Sequence, residues 1–299
     1  MLVEDKQNSY LGIDLYAGIS GLPMEVDEFE LEKGLILKAT YAHVMAPYLM
    51  AFNRPEKIGR PHPASWKNTN GGMGFDINIE LSIAKCCNLT NFDRLNTLWW
   101  ALSLLRLKTG AKINVPVVSN IAFSVIRDSN EEPNLWVIES PLRQLATKRE
   151  PPEYISIEDM IWTKKVLVSG SQLMDNEIFN RAFQTFDQVI WAHSLGSAIV
   201  MLWAALETLF RPGRGQITKS LAKSIAVFLN EAGPERDRTY QKVEKLYGVR
   251  GGIVHNTMSP DSNEFFESAS IARQCLIKCL ELNQVPVSTD LLLCWKNEQ

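Results

Sequence analysis

The strongest constraint on this chain is a change of period. Up to about residue 150 its apolar residues fall in short runs broken by turn residues; beyond Gly170 they recur at helical spacing through Leu282. Alternation by two buries one face of a strand, whereas a spacing of three and four buries one stripe of a helix. A chain that carries one pattern and then the other is expected to be α+β, with a mixed α/β part first and an all-helical bundle after it.

The first part is read as follows. Tyr10 to Leu15 and Gly34 to Tyr41 are strand-like. From Met73 to Ile83, Phe75, Ile77, Ile79 and Leu81 alternate onto one face. Asn53 to Gly72, rich in Pro, Gly, Asn and Lys, reads as a loop. Asn91-Phe92-Asp93 opens a helix with Leu95, Leu98, Trp99, Leu102 and Leu105 on one stripe, ended by Thr109-Gly110. Ile113 to Val118, Ile121 to Ile126 and Leu135 to Ile138 are further strand candidates. The charged, proline-bearing Arg149-Glu150-Pro151-Pro152-Glu153 marks a boundary, giving an N-terminal domain over 1–150, a connecting segment over 151–171 (Ile157 to Val168 as helix or strand) and a helical domain over 172–299. In the last, Phe179–Trp191, Ser197–Phe210, Ile217–Asn230, Pro234–Tyr247 and Glu264–Leu282 are the expected helices.

Composition excludes several classes. Net charge is -3 over 299 residues, so any polyanion surface must be a local patch. The five cysteines form no disulfide framework, and Cys275 and Cys279, four apart, are expected to pack in a core; no metal and no cofactor is expected. Cys86-Cys87 are likewise read as structural. His43, among apolar residues, is read as a satisfied structural histidine, and His62, between two prolines, as a loop residue. Met1 to Lys6 lacks the form of a secretory signal, and the longest apolar run, Leu98 to Leu105, is too short to span a bilayer. The expectation is a cytoplasmic protein without a membrane partner.

Chemistry concentrates in Leu246-Tyr247-Gly248-Val249-Arg250-Gly251-Gly252-Ile253-Val254-His255-Asn256. Arg250 is a permanent cation with a planar fork of donors; His255 moves a proton near neutral pH. The glycines between them leave the backbone open to a ligand. Chance supplies this spacing often, so the neighbours decide. From Arg211 to Arg250 there are nine basic against four acidic residues. Arg214, Lys219, Lys223 and Lys245 belong to that basic strip, the expected RNA-binding surface. A rival is Ala192-His193-Ser194-Leu195-Gly196-Ser197, which approximates a hydrolase nucleophile elbow with Gln188 to Trp191 as its strand. Ala192 stands where that pattern wants glycine, and everything downstream is helical, so Ser194 is better read as a helix N-cap.

Three ordered blocks carry a family resemblance. Leu202-Trp203-Ala204-Ala205-Leu206-Glu207-Thr208-Leu209-Phe210 resembles the "ALE-x-L" helix of HEPN domains. Ile217 to Ala226 is similar to the helix that follows it there. Leu246 to His255 matches the R-x4-6-H motif in the form of the ApeA-like subgroup. The resemblance covers residues 172–282. It implies a HEPN-type bundle that acts as a homodimer: a metal-independent endoribonuclease, often in phage defence or toxin systems, answering to a protein or phage-derived trigger, with a sensing or regulatory role for the N-terminal domain. On that implication Arg250 and His255 are catalytic, Glu207 orients Arg250, Asn256 contacts phosphate or the histidine ring, and Tyr247 packs or stacks on a base. The alternative is a non-catalytic HEPN module that binds RNA, a nucleotide or a protein. The chain departs from the pattern at Gly251, where many active members carry Asn, Asp or His, and at Thr257, where some carry the tyrosine of H-x-Y.

Overall fold

The computed structural model describes residues 14–51, 57, 60, 67–85, 87, 89, 92–139, 144–213, 215–256 and 259–297, with the backbone alone at 46–51, 68–73 and 256. The six strands β1 (Leu15–Ser20), β2 (Glu28–Glu32), β3 (Leu35–Ala51), β4 (Lys67–Ile83), β5 (Asn114–Ser119) and β6 (Leu135–Val137) form one sheet in the order β2-β3-β4-β1-β5-β6. Every neighbouring pair is antiparallel. The helices are α1 (Arg94–Thr109), α2 (Ile157–Leu173), α3 (Glu177–Asp187), α4 (Leu195–Phe210), α5 (Ile217–Leu229), α6 (Pro234–Asn256), α7 (Ser262–Leu282) and α8 (Ser288–Asn297). The chain is therefore α+β, with the sheet first and the helices after it.

The sheet departs from the sequence reading at several points, among them β2, which that reading lacks, and β3, which runs on past Tyr41 to Ala51. Lys67 to Gly72, read as loop, belongs to β4, because Lys67, Asn68, Thr69 and Asn70 pair with Ala51, Met50, Leu49 and Tyr48. Ladder hydrogen bonds are made by the backbone, so a long partner strand overrides weak intrinsic preference. Ile121 to Ile126, read as strand, is a run of turns in which Val125 N–H donates to Ala122 and Asp128 N–H to Val125. The Phe123 N–H goes instead to the buried Glu80 carboxylate at 2.5 Å, which satisfies a donor that a ladder would have used. The first strand begins only at Leu15, and Tyr10 to Ile13 lie outside the described residues.

Helix α1 sits between sheet and bundle. Asp93 caps its start by accepting the Asn96 N–H, and Gly110, at φ 69, ends it in a left-handed turn. The sequence suggested one apolar stripe, yet nearly every residue from Leu95 to Thr109 is buried. A helix apolar all round is a core helix. Trp100 packs against Phe183, ring centroids 4.9 Å apart, and donates its indole N–H to the Leu167 carbonyl at 2.8 Å. Trp99 donates to Asp187 at 2.9 Å. The hydrophobic core consequently runs without a break from Leu15 to Leu280, across residue 150. Backbone bonds from Thr147 and Lys148 to the Gly110 carbonyl, and from Ile155 to Pro23, bind the connecting segment down.

Residues 157–173 are helix, started by a Ser156–Asp159 capping box. Helix α6 continues nine residues past the expected end at Tyr247 and carries the whole Arg250–His255 stretch. Helix α8 has no counterpart in the sequence reading; it docks through Trp295, 6% exposed, against the Tyr240 ring. Cys87, Cys275 and Cys279 are buried, and burial pushes the Cys279 thiol up to about 12, so the last pair is core packing. Among the described residues no helix is long and apolar enough to cross a membrane.

Candidate functional site

Arg250 stands on the inner side of α6. Three of the expected site residues meet there. Arg250 Nη2 lies 3.2 Å from Glu207 Oε1 on α4, and the Tyr247 hydroxyl donates to the same oxygen at 2.9 Å. The guanidinium carbon is 5.5 Å from the Tyr247 ring centroid, within reach of a cation–π contact. Tyr247 in turn meets Trp203 edge to face at 5.4 Å, and Trp203 donates its indole N–H to Ser268 on α7 at 3.3 Å. Burial and the Glu207 carboxylate raise the Tyr247 hydroxyl above its ordinary pKa, with Arg250 opposing, so the phenol stays a donor to Glu207.

This ladder follows from helix geometry. Trp203 and Glu207 are four apart on α4, and Tyr247 and Arg250 three apart on α6, so each pair shares a face. The result holds Arg250 by charge on one side and by a ring on the other, with its side chain 24% exposed. Arg250 Nε is buried without a hydrogen-bond partner among the described residues. The fork has five N–H donors and the Glu207 contact uses one end of it.

His255 lies on the last turn of α6 and is exposed. Among the described residues it has no hydrogen-bond or ion-pair partner. Five residues along a helix turn a side chain by about 140° around the axis, so Arg250 and His255 leave α6 in different directions. Gly251 and Gly252 are helical, and a Cβ on Gly251 would meet nothing within 4 Å. The glycines, expected to leave the backbone open to a ligand, therefore lie within the helix, with open space beside Gly251. Only the backbone of Asn256 is described.

Beside the end of α6 runs an apolar groove formed by Leu195, Val200 and Met201 of α4 with Ile253, Val254 and Pro260. Val254 is 47% exposed. A Cβ at Gly196 of α4 would sit 3.5 Å from Ile253 Cγ2, in ordinary van der Waals contact across the groove.

The basic strip is divided. Lys219 is exposed on α5, and the Lys223 ammonium lies over the Trp295 ring of α8 at 5.7 Å. Lys245 instead lines a pocket beside α7 with Lys242, Lys148, Arg149 and Arg273. Arg214 lies outside the described residues, as do His62 and Cys86. His43 is paired with Asp76 at 2.8 Å but its side chain is 46% exposed on β3, not enclosed among apolar neighbours. Ser194 caps α4 by accepting the Ser197 N–H at 3.1 Å, and residues 188–191 before it form a 3-10 turn rather than a strand, so the elbow architecture is missing. Among the described residues there is no cluster of metal-ligating side chains.

Sequence reading missed Trp203 and Ser268 as supports of Tyr247; a tryptophan four residues before Glu207 was the available signal. It also missed the pocket around Lys245, whose walls come from three segments far apart in the chain. Comparison with protein-family models, with curated proteins and with solved structures returned no match.

Proposed function

We propose that this protein is an endoribonuclease of the HEPN type, cutting RNA without a metal ion by attack of the ribose 2′-hydroxyl. The observation that carries the reading is the Glu207–Arg250–Tyr247 arrangement, a preoriented cation with unused donors one helical turn and a half from an exposed histidine. The reaction needs a base to take the 2′-proton, an acid to protonate the 5′-oxygen, and positive charge on the phosphorane-like transition state. A histidine exchanges the proton and a guanidinium stabilises the developing charge through charge-assisted hydrogen bonds.

Because Arg250 and His255 diverge on α6, the proposed site is composite. A second copy of the chain, docked over the groove at Val200, Ile253 and Val254, brings its own pair to the same cleft. The substrate class is RNA, the setting phage defence or a toxin-type response, and the trigger a protein or phage-derived signal. The test is cleavage of RNA in EDTA, leaving 2′,3′-cyclic phosphate ends. Arg250→Ala and His255→Ala are each inactive, and mixing the two variants restores part of the activity in heterodimers. If His255→Ala cuts as well as wild type, the mechanism is wrong.

A second reading has its own support. Arg250 is engaged by Glu207 and turned away from His255 within one chain, which suits a module that binds RNA, a nucleotide or a protein without cutting. It predicts RNA binding that survives His255→Ala, with no cleavage by wild type.

A further inference from the structure

A second concentration of charge lies elsewhere, where the strap 147–149 crosses the end of α1 beside the middle of α6 and the first half of α7. Thr147, Lys148 and Arg149 form one wall, Lys242 and Lys245 of α6 another, and Asp261 to Arg273 of α7 the floor. The cavity measures about 690 Å³, the size of a small-molecule site rather than a flat nucleic-acid face. Five cations line it against three carboxylates.

The carboxylates are already committed. Asp261 and Glu264 form the capping box of α7, each accepting the other's backbone N–H, at 2.9 and 3.0 Å. Glu267 pairs with Lys242 at 3.2 Å. Lys148, Arg149 and Lys245 have no carboxylate partner in hydrogen-bond or ion-pair contact among the described residues. Arg149 lies over the Phe266 ring at 5.6 Å, which holds its guanidinium at the pocket's edge.

Arg273 makes the cluster more than a solvated face. It is 6% exposed, and it donates through Nε to the Leu107 carbonyl at 2.8 Å and through Nη2 to the Lys108 carbonyl at 2.7 Å. It thereby closes the C-terminus of α1, where a cation is favoured. Its remaining Nη has no hydrogen-bond partner among the described residues. Lys148 packs its stem on Gly110 of the same helix end. Burial, then Arg273 and Lys108, hold the Lys148 ammonium below its usual pKa, with Asp159 opposing. Cations that crowd one another in a concavity carry a cost that a bound anion removes.

We infer that this pocket binds a compact oligophosphate, a ligand presenting two adjacent phosphate groups to Lys148, Arg149, Lys245 and Arg273. Four cations without an ion-pair partner among the described residues offer more donors than a single phosphate group uses, and the size of the concavity suits a small ligand. The site is independent of the Arg250–His255 chemistry and stands whether or not the chain cuts RNA. Its position joins the strap, the end of the buried helix α1 and the two helices α6 and α7, so an occupant ties the sheet layer to the helix that carries Arg250.

The test is titration calorimetry on the full chain, paired with thermal unfolding. Pyrophosphate, tripolyphosphate and ADP are the small probes, and a 12-nucleotide single-stranded RNA is the polymer arm. The expected result is saturable binding of pyrophosphate with a raised Tm, weakened at least tenfold by Lys148→Ala or Lys245→Ala and unchanged by His255→Ala. Both variants replace exposed or half-exposed stems, so folding is retained and is checked by the unliganded Tm. Absence of pyrophosphate binding at 5 mM, binding indifferent to both lysine variants, or binding of the RNA alone would each overturn the assignment.

Discussion

Helices α1 and α6 invite comparison, because neither shows a clean apolar stripe and for opposite reasons. In α1 almost every side chain is enclosed, and its largest polar groups bond inside the protein: Trp99 to Asp187, Trp100 to Leu167, Arg106 to Ile113 and Glu139. In α6 only Arg236, Val243, Leu246 and Val249 are buried among the described residues, and the rest face solvent or lie half covered. One helix holds the layers together with nearly all of its side chains enclosed. The other is anchored along a narrow strip and offers His255, Lys242 and Lys245 outward, with Arg250 on its inner side. A weak periodicity is thus two different signals, separated by whether the off-stripe residues are leucine and tryptophan or lysine, glutamate and glycine.

That contrast can be broken experimentally. The largest effect is expected at Trp100→Ala, which removes a fully buried ring and its indole bond to the Leu167 carbonyl; unfolding in urea should show a loss of about 3–5 kcal/mol. A loss near zero would mean that α1 is not the keystone described here. On α6 the sign of the comparison reverses. His255→Ala should leave the urea midpoint within experimental error, while the proposed RNA cleavage falls by roughly 10²-fold or more, the usual scale of general acid–base catalysis.

Two glycines sharpen the point. A Cβ on Gly170 of α2 would lie 2.7 Å from both Trp100 Cζ2 and Leu280 Cδ2, so Gly170→Ala should cost about 1–3 kcal/mol by overpacking. Gly251 of α6 has open space around it, so Gly251→Ala should instead raise stability by about 0.5–1 kcal/mol, through helix propensity alone. Equal effects at the two positions, read from thermal unfolding, would erase the distinction between the helices.

Much of the architecture was legible because periodicity is local. The switch from strand to helix, the Asp93 and Gly110 ends of α1 and the Ser194 cap were all visible in neighbouring residues. What escaped depends on distant ones. Lys67 to Gly72 becomes strand only because β3 lies alongside, and Ile121 to Ile126 fails to become one because the Glu80 carboxylate takes the Phe123 N–H. The break expected at Arg149–Glu153 has a local signature, yet the core passes through it, since Trp99, Trp100 and Arg106 reach partners that sequence spacing does not reveal. At the candidate site, Glu207, Tyr247 and Arg250 were legible from helical spacing and meet in space. His255 was legible as a residue but not as a direction, because the register of α6 beyond Tyr247 hung on whether three glycines would stay helical. The pocket at Lys148 and Arg273 was invisible for a plainer reason: its cations are separated by more than a hundred residues.

The glycines of α6 have one more consequence. Gly248 and Gly251 have room for a side chain and carry none, which lowers the helix propensity of a stretch that Val249, Arg250 and Ile253 tie to the bundle. Native-state hydrogen exchange should therefore find the amides from Gly248 to His255 opening well before those around Val243 and Leu246, as a small cooperative unit at the low end of the stability scale. On the proposed function, the reach of His255 toward a second chain would then be set by the free energy of that opening as well as by the rigid length of the helix.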